Sequence, residues 1–156
     1  MEKPVIIFGT NEIAKMAAAI FQENQVEIYG FLTEESEDIG KEFLEIPVLG
    51  LAEDDSFTAI IGKDCEAFVA SISTETRRGI AEWLRLQKHL MGVNAISQQA
   101  RIASSAVIGH GHLVGHGTNL EPGAEIGHYT TLYPGTSIGT AAQVGEHCLV
   151  GQNTTI

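Results

Sequence analysis

The chain has 156 residues, of which 44% are hydrophobic and 19% charged, and its formal net charge is −11. This excess of acids argues against nucleic acid as a partner, because phosphate binding relies on clustered Lys and Arg. No apolar run approaches the roughly 18 residues that cross a bilayer and no secretory signal opens the chain, so we expect a cytoplasmic protein with no membrane partner.

The first half predicts alternating strands and helices. The predicted strands are short apolar runs at residues 5–8, 26–32, 46–50 and 67–72. Asn11 is a good N-cap for a helix after the first strand, and Thr74 or Thr76 would cap a later one. Strand, helix and strand in this order form the unit of a parallel α/β sheet. Residues 1–92 are therefore predicted to form a small Rossmann-like sheet domain.

In the second half an aliphatic residue recurs every six positions without one failure. This ladder consists of Ile96, Ile102, Ile108, Val114, Leu120, Ile126, Leu132, Ile138, Val144, Val150 and Ile156. A period of six fits neither a helix nor an ordinary strand and predicts a solenoid, in which three hexapeptide sides make an 18-residue coil. Glycine follows six of the aliphatics, where we expect corners at which a Cβ is costly. Residues 93–156 are thus predicted to form a parallel β-helix.

Together these features resemble the bacterial sugar O- and N-acyltransferases, which include sialic acid O-acetyltransferase-like and nucleotide-amino-sugar N-acetyltransferase-like members. The resemblance lies in residues 5–14 (VIIFGTNEIA), 29–32, 39–41, 46–50, Arg77-Arg78 and the hexapeptides. It implies a Rossmann-like sugar-nucleotide-binding domain over residues 1–92 and a left-handed β-helix over residues 93–156. It further implies a homotrimer that moves an acetyl group from acetyl-CoA to a nucleotide-linked sugar or amino sugar in surface-glycan biosynthesis.

The family uses a histidine as general base on the acceptor, and this sequence departs from that pattern. The expected position precedes the stretch at residues 145–148 (GEHC) and is held by Thr140. A threonine hydroxyl stays protonated far above neutral pH, so it cannot act as the base. In addition, nothing basic follows Arg101 to contact the phosphates of coenzyme A, and the chain stops at Ile156 in mid-pattern. A degenerate enzyme, a fragment or shortened paralogue, and a non-catalytic sugar-nucleotide-binding or trimeric assembly module are the interpretations left open.

A column of polar residues offers an alternative catalytic group. His110, His128 and Glu146 are spaced by 18 residues, so they lie on adjacent coils at one corner, about 4.8 Å apart. We predict His128 as a base that Glu146 orients, at a different corner from Thr140. The alternative is a set of exposed turn residues that periodicity alone stacks. His112 interrupts a column of small residues and is expected to point inward or to distort its coil.

The first domain carries a candidate substrate-binding site after its first two strands. Its residues are Gly9, Thr10, Asn11, Glu12 and Glu34. A helix N-terminus offers N–H groups to a phosphate, although Glu12 beside it would repel that charge. Glu34, at the end of the second strand, occupies a place where an acid can bond a ribose hydroxyl. An ordinary strand-to-helix turn is the alternative, since the motif keeps only one glycine.

Histidines on a β-helix also resemble the trimeric carbonic anhydrases, whose zinc lies between subunits. Those proteins match only the second half, and spacing alone does not bring three ligands together here. The two cysteines, Cys65 and Cys148, have neither the number nor the spacing of a zinc or disulfide framework. We therefore expect no metal and take both cysteines as packing residues.

Overall fold

The computed structural model describes residues 2–156 and divides the chain into two compact units, one ending at Val93 and the next beginning at Asn94. The first unit is an α/β sheet layer. Its elements are β1 (Val5–Phe8), α1 (Glu12–Glu23), β2 (Ile28–Thr33), a 3₁₀ turn (Ser36–Asp38), β3 (Glu42–Phe43), β4 (Ile46–Leu51), α2 (Asp55–Thr58), β5 (Glu66–Val69) and α3 (Thr74–Trp83), which continues as a π-helical turn (Leu84–Lys88).

The sheet of the first unit has the strand order β3-β4-β2-β1-β5. Strands β1, β2, β4 and β5 are parallel, and β3 is antiparallel to β4. The chain runs outward from β1 to β2 and then returns to place β5 on the other side of β1. Loops that follow β1 and β5 therefore diverge at one edge of the sheet, where open parallel sheets form crevices.

Helix α1 confirms the cap and the buried face that the sequence predicts. The Asn11 side chain accepts a hydrogen bond from the Ala14 N–H at 3.1 Å, which satisfies one of the free donors of the first turn. Ile13 and Phe21 on its inner face are buried, and the Phe21 ring meets Phe68 of β5 edge to face at 5.6 Å. This packing fixes α1 against the sheet and sets the direction of the β1–α1 loop.

The predicted cap of α3 is wrong by one to three residues. Ser73, in extended backbone, caps the helix by accepting a hydrogen bond from the Thr76 N–H at 3.2 Å. Thr74 is instead the first helical residue, and Thr76 is the donor of that bond. All three side chains are types that cap helices, so the sequence could not distinguish them. The position at which β5 ends determines which of them becomes the N-cap.

The second unit is a parallel β-helix, and it confirms the solenoid that the period of six predicts. Ten two-residue strands form three sheets: β6 (Ala95–Ile96), β9 (Leu113–Val114), β12 (Thr131–Leu132) and β15 (Leu149–Val150); β7 (Arg101–Ile102), β10 (Asn119–Leu120) and β13 (Ser137–Ile138); β8 (Val107–Ile108), β11 (Glu125–Ile126) and β14 (Gln143–Val144). Ile126 pairs with Ile108 below it and with Val144 above it. The aliphatic ladder is the core of this unit.

Glycines that follow the aliphatics are required where the next coil stacks on them. A Cβ on Gly115 would lie 2.7 Å from the backbone nitrogen of Pro134, one coil later, whereas a Cβ on Gly145 or Gly151 would meet only ordinary van der Waals contacts. Gly115 itself has no left-handed backbone, whereas Gly117, two residues on, has φ +70°. A Cβ is therefore costly at the predicted positions that another coil covers, but the left-handed turn of the corner falls two residues further along. No helix in the described part of the chain has the length and apolar character needed to cross a membrane.

Candidate functional site

Two adjoining clefts open at the carboxyl edge of the first unit's sheet. The smaller cleft, about 170 Å³, lies between the loops after β1 and β5, and the larger cleft, about 580 Å³, lies beside α2 and α3. They share Phe8, Thr33, Glu34, Ala52 and Ile80. The smaller cleft lies where the strand order reverses, between β1 and β5, the place where ligands bind in open parallel sheets, and the larger cleft adjoins it at the carboxyl ends of β1, β2 and β4.

The loop that bounds the smaller cleft is fixed by two local contacts. Gly9 has φ +114°, and a Cβ there would overlap the carbonyl oxygen of Ala70 at the end of β5. The Asn11 amide Nδ2 donates to that same Ala70 oxygen at 2.8 Å while its Oδ1 caps α1. Glycine is thus required at position 9, and Asn11 ties the two loops together.

Four of the five predicted substrate-binding residues line the smaller cleft. These are Gly9, Thr10, Asn11 and Glu34, and Glu34 also lines the larger cleft. Glu12 does not line either cleft; it is exposed in the first turn of α1. Its carboxylate would therefore repel a phosphate in the smaller cleft less strongly than the sequence suggests.

A buried arginine supports the rear of the smaller cleft. Arg77 of α3 is 1% exposed, and its Nη1 donates to the carbonyl oxygen of Ser71 at 2.6 Å. Its Nη2 donates to Thr74 Oγ1 at 3.4 Å. The guanidinium holds the loop after β5 in place. The sequence did not indicate this role, because it shows only two adjacent arginines near the start of a helix.

The larger cleft was missed in the sequence because its walls come from separate elements. Phe8 of β1 and Trp83 of α3 meet edge to face, with ring centroids 6.3 Å apart and planes at 64°. Glu53, Asp55 and Thr58 come from the β4–α2 segment. The single tryptophan of the chain, Trp83, could have indicated a binding cleft in this region from the sequence.

Four of the five histidines of the second unit gather at one corner of the β-helix, which we call the histidine corner. It comprises residues 109–112, 127–130 and 145–148, between the sheets of β8, β11 and β14 and those of β9, β12 and β15. The 18-residue spacing places His110, His128 and Glu146 on successive coils here, as predicted. Thr140 is exposed at a different corner, after Ile138 and Gly139 of β13.

His112 points into the β-helix and is fully buried. Its Nδ1 lies 3.0 Å from the Thr130 carbonyl oxygen, and its Nε2 accepts a hydrogen bond from the Gly109 N–H at 3.0 Å. This pair of contacts requires a neutral ring with the proton on Nδ1. Burial lowers the pKa of His112, and the nearby His128 and His110 lower it further. His112 is therefore a structural element of the corner, not a proton acceptor for a substrate.

His128 has its own fixed tautomer. Its Nδ1 accepts a hydrogen bond from the backbone N–H of His110 at 2.9 Å, so the neutral ring carries its proton on Nε2. Among residues 2–156 no hydrogen bond joins His128 to Glu146, whose side chain is exposed on the next coil. The ring therefore presents an N–H donor, whereas the sequence predicts a base at this position.

The His110 ring is exposed and stacks on His128, with centroids 5.5 Å apart and planes at 20°. Next to this pair, Tyr129 and His147 stack at 5.2 Å and 7°. Tyr129 and His147 have left-handed backbone, with φ of 59° and 56°. The equivalent position of the first coil is a glycine, Gly111. Left-handed backbone costs about 1–3 kcal/mol for a residue with a side chain. The stacked rings of Tyr129 and His147 contribute packing energy at these two positions.

The described residues contain no group of three or more His, Cys, Asp or Glu side chains that could hold a metal ion. Cys65 is buried in the first unit, and burial together with the neighbouring acid Asp64 raises the pKa of its thiol. Cys148, at the histidine corner, is partly exposed.

The chain is similar in fold to solved structures that include acetyltransferases. PerB from Caulobacter crescentus, in complex with CoA and GDP-perosamine, has a TM-score of 0.63 and 18% identity over 99% of this chain and 92% of its own. The acetyltransferase domain of PglB from Neisseria gonorrhoeae has a TM-score of 0.74 and 17% identity over 99% and 82%. WeeI from Acinetobacter baumannii has a TM-score of 0.65 and 15% identity over 97% and 93%.

These likenesses establish the fold, and they cover both units. No protein-family model matches the sequence. No curated protein matches it either.

Proposed function

We propose that this chain transfers an acetyl group from acetyl-CoA to the amino group of a nucleotide-linked sugar. The observation that carries the proposal is the end-to-end likeness of both units to the acetyltransferase domain of PglB and to PerB, which was solved with CoA and GDP-perosamine. The PglB domain has also been solved in complex with acetyl coenzyme A. By analogy, this chain would bind a nucleotide-linked sugar and acetyl-CoA.

The first unit would bind the acceptor. Its sheet has the parallel order and edge clefts of a Rossmann-like, nucleotide-binding domain, which we assign to residues 1–92. The loop at Gly9 and Thr10 leads into the N-terminus of α1, whose N–H groups suit a phosphate. Glu34, shared by both clefts, is placed to accept hydrogen bonds from sugar hydroxyls.

The histidine corner of residues 93–156 would supply the chemistry, with His128 and Glu146 as candidate catalytic residues. The acceptor nitrogen attacks the thioester carbon, its proton passes to a base, and coenzyme A leaves as the thiolate and is protonated. The Nε2–H of His128 would donate a hydrogen bond to the negative charge that develops on the thioester oxygen. The exposed ring of His110 suits the base, since its nitrogens have no hydrogen-bond partner among the described residues. Glu146 lies two coils from His110 and one coil from His128, so it would act on the His128 ring and not on the imidazolium formed at His110.

The resemblance stated above also implies left-handed winding, a homotrimer and a cytoplasmic location, and we include these in the proposal. A second candidate is a non-catalytic sugar-nucleotide-binding or assembly module. Thr140 at the expected base position favours it, as does the occupied Nδ1 of His128.

Thiol release from acetyl-CoA, measured with a panel of nucleotide-linked amino sugars, separates the two candidates. We expect turnover with at least one acceptor, a loss of about 10²–10⁴-fold in His110→Gln, and about 10²–10³-fold in His128→Gln. His116→Gln, an exposed histidine at another corner, is the matched control and should keep full activity. Binding of a sugar nucleotide without turnover for any acceptor would support the module and refute the transferase.

A further inference from the structure

The larger cleft has an apolar part suited to a flat ring. The Phe8 and Trp83 side chains meet edge to face on one wall, and Leu51 and Ile80 extend that wall. At about 580 Å³ the cleft has the volume of a typical small-molecule site. Phe8 is only 2% exposed, so Trp83 is the ring of this wall that can stack on a nucleobase, and such stacking does not depend on which base is present. The apolar part alone therefore supplies affinity for a base and no selectivity.

The polar part of the same cleft includes two exposed carboxylates and a hydroxyl without partners, beside Thr33, whose Oγ1 accepts from the Glu35 N–H. Asp54 is occupied, because its Oδ1 accepts a hydrogen bond from the Ser56 N–H at 2.8 Å. The carboxylates of Glu53 and Asp55, which line the cleft, have no hydrogen-bond partner among residues 2–156. Thr58 also lines it, is only 5% exposed, and its hydroxyl likewise has no partner in the described part of the chain. Thr58 Oγ1 is not one of the fully buried side-chain atoms left without a partner, so this hydroxyl reaches the solvent of the cleft and is free to bond a ligand.

We propose that the larger cleft selects guanine as the base of the bound nucleotide, with Glu53 or Asp55 accepting from its Watson–Crick edge. This inference rests on the proposed function, which leaves the base open. Guanine N1–H and the N2 amino group are adjacent donors that point the same way, so one carboxylate receives both. The Thr58 hydroxyl, which both donates and accepts, completes the contact with the same edge.

The other bases do not match this arrangement of acceptors. Uracil has carbonyl oxygens on both sides of its N3–H, and a carboxylate repels them. Cytosine and adenine each place a ring-nitrogen lone pair beside their amino group, so a carboxylate gains one hydrogen bond and faces one lone pair. Lys and Arg are absent from the lining of the larger cleft, and the nearby Lys88 ammonium lies over the Trp83 ring, 5.5 Å from its centroid, on the aromatic wall. Selectivity for guanine follows from charge and donor geometry together.

Fluorescence of Trp83 tests this inference directly, because Trp83 is the only tryptophan and lies in the wall of the cleft. Titration of the full chain with GDP, UDP, CDP and ADP compares four ligands that differ only in the nucleoside. We expect GDP to change the fluorescence and to bind about 10- to 100-fold more tightly than UDP, the ratio expected for hydrogen bonds to a charged acceptor.

Variants of the two carboxylates test whether they cause the preference for GDP over UDP. Glu53→Gln combined with Asp55→Asn should reduce the preference for GDP over UDP to less than threefold, while the weaker binding of UDP is retained or improved. Glu37→Gln, an exposed acid outside both clefts, is the matched control and should keep the wild-type ratio. Melting temperatures of the apo proteins show whether a variant is folded.

Each result has a definite meaning. UDP, CDP or ADP binding as tightly as GDP, or an unchanged ratio in the folded double variant, would overturn the guanine assignment. Acetyl transfer to a sugar linked to a different base would leave the proposed function intact in that case. Failure of all four nucleotides to bind would overturn the guanine assignment, and lack of turnover in the thiol-release assay would independently refute the transferase.

Discussion

Replacement of His112 tests how the β-helix tolerates a histidine in its interior. The imidazole joins the Gly109 N–H to the Thr130 carbonyl, both at 3.0 Å, and the His112 side chain is fully buried. His112→Ala leaves both backbone groups without their partner, at about 1–3 kcal/mol each, so the free energy of unfolding should fall by about 2–6 kcal/mol. Urea denaturation followed by circular dichroism measures this loss.

The same residue makes stability depend on pH. The pKa of His112 is lowered in the folded state, so the unfolded chain, with a value of about 6.5, binds the proton more readily. Its contribution is complete above pH 6.5 and is lost as pH falls toward the folded value, by at most about 1.4 kcal/mol per pH unit. Between pH 7.5 and 5.0 we expect a decrease of up to about 2 kcal/mol from this group.

His112→Thr is the informative variant, because Thr130 already occupies the equivalent place one coil later. Thr130 Oγ1 donates to the Gly145 carbonyl at 2.7 Å and accepts from the Cys148 N–H at 3.0 Å. The variant should fold and show a flatter stability profile between pH 7.5 and 5.0, whereas the exposed control His116→Thr should keep the wild-type slope. An identical slope in wild type and His112→Thr would refute the reasoning.

Three further predictions concern packing and thiol reactivity. Leu132→Ala, at a fully buried ladder position, should lower the free energy of unfolding by about 2–5 kcal/mol, measured by urea denaturation. Gly9→Ala should lower the melting temperature because its Cβ overlaps a carbonyl, whereas Gly79→Ala, in α3 with open space around it, should stabilise by about 0.5–1 kcal/mol. A thiol reagent at neutral pH should label Cys148 in the native protein and Cys65 only after denaturation, and equal rates would contradict this.

Periodic features were predictable from the sequence because each coil repeats the same physical requirement. Ile108, Ile126 and Val144 must face one narrow interior, so their spacing fixes both the fold and their stacking. In the first unit the cap at Asn11 was predictable for a similar reason, since one residue decides it locally. The sequence left open whether His112 points inward or distorts its coil, and the structure shows that it points inward.

The arrangement of side chains around each site was not predictable. Phe8, Thr58 and Trp83 meet only when the sheet and α3 are assembled, so no spacing in the sequence indicates the larger cleft. Equally, the 18-residue spacing placed His128 beside its neighbours, but only coordinates show that the His110 backbone N–H occupies its Nδ1. Periodicity predicts positions, whereas tautomers and partners depend on geometry at the scale of one hydrogen bond.

The most direct test of the proposed function follows the acetyl group itself. The chain is incubated with isotope-labelled acetyl-CoA and a nucleotide-linked amino sugar, and the acceptor is analysed by mass spectrometry. The account predicts that the acceptor gains one labelled acetyl group on its nitrogen in wild type and in His116→Gln, and gains far less in His110→Gln. Unlabelled acceptors throughout the panel, from protein that binds the same sugar nucleotides, would contradict it.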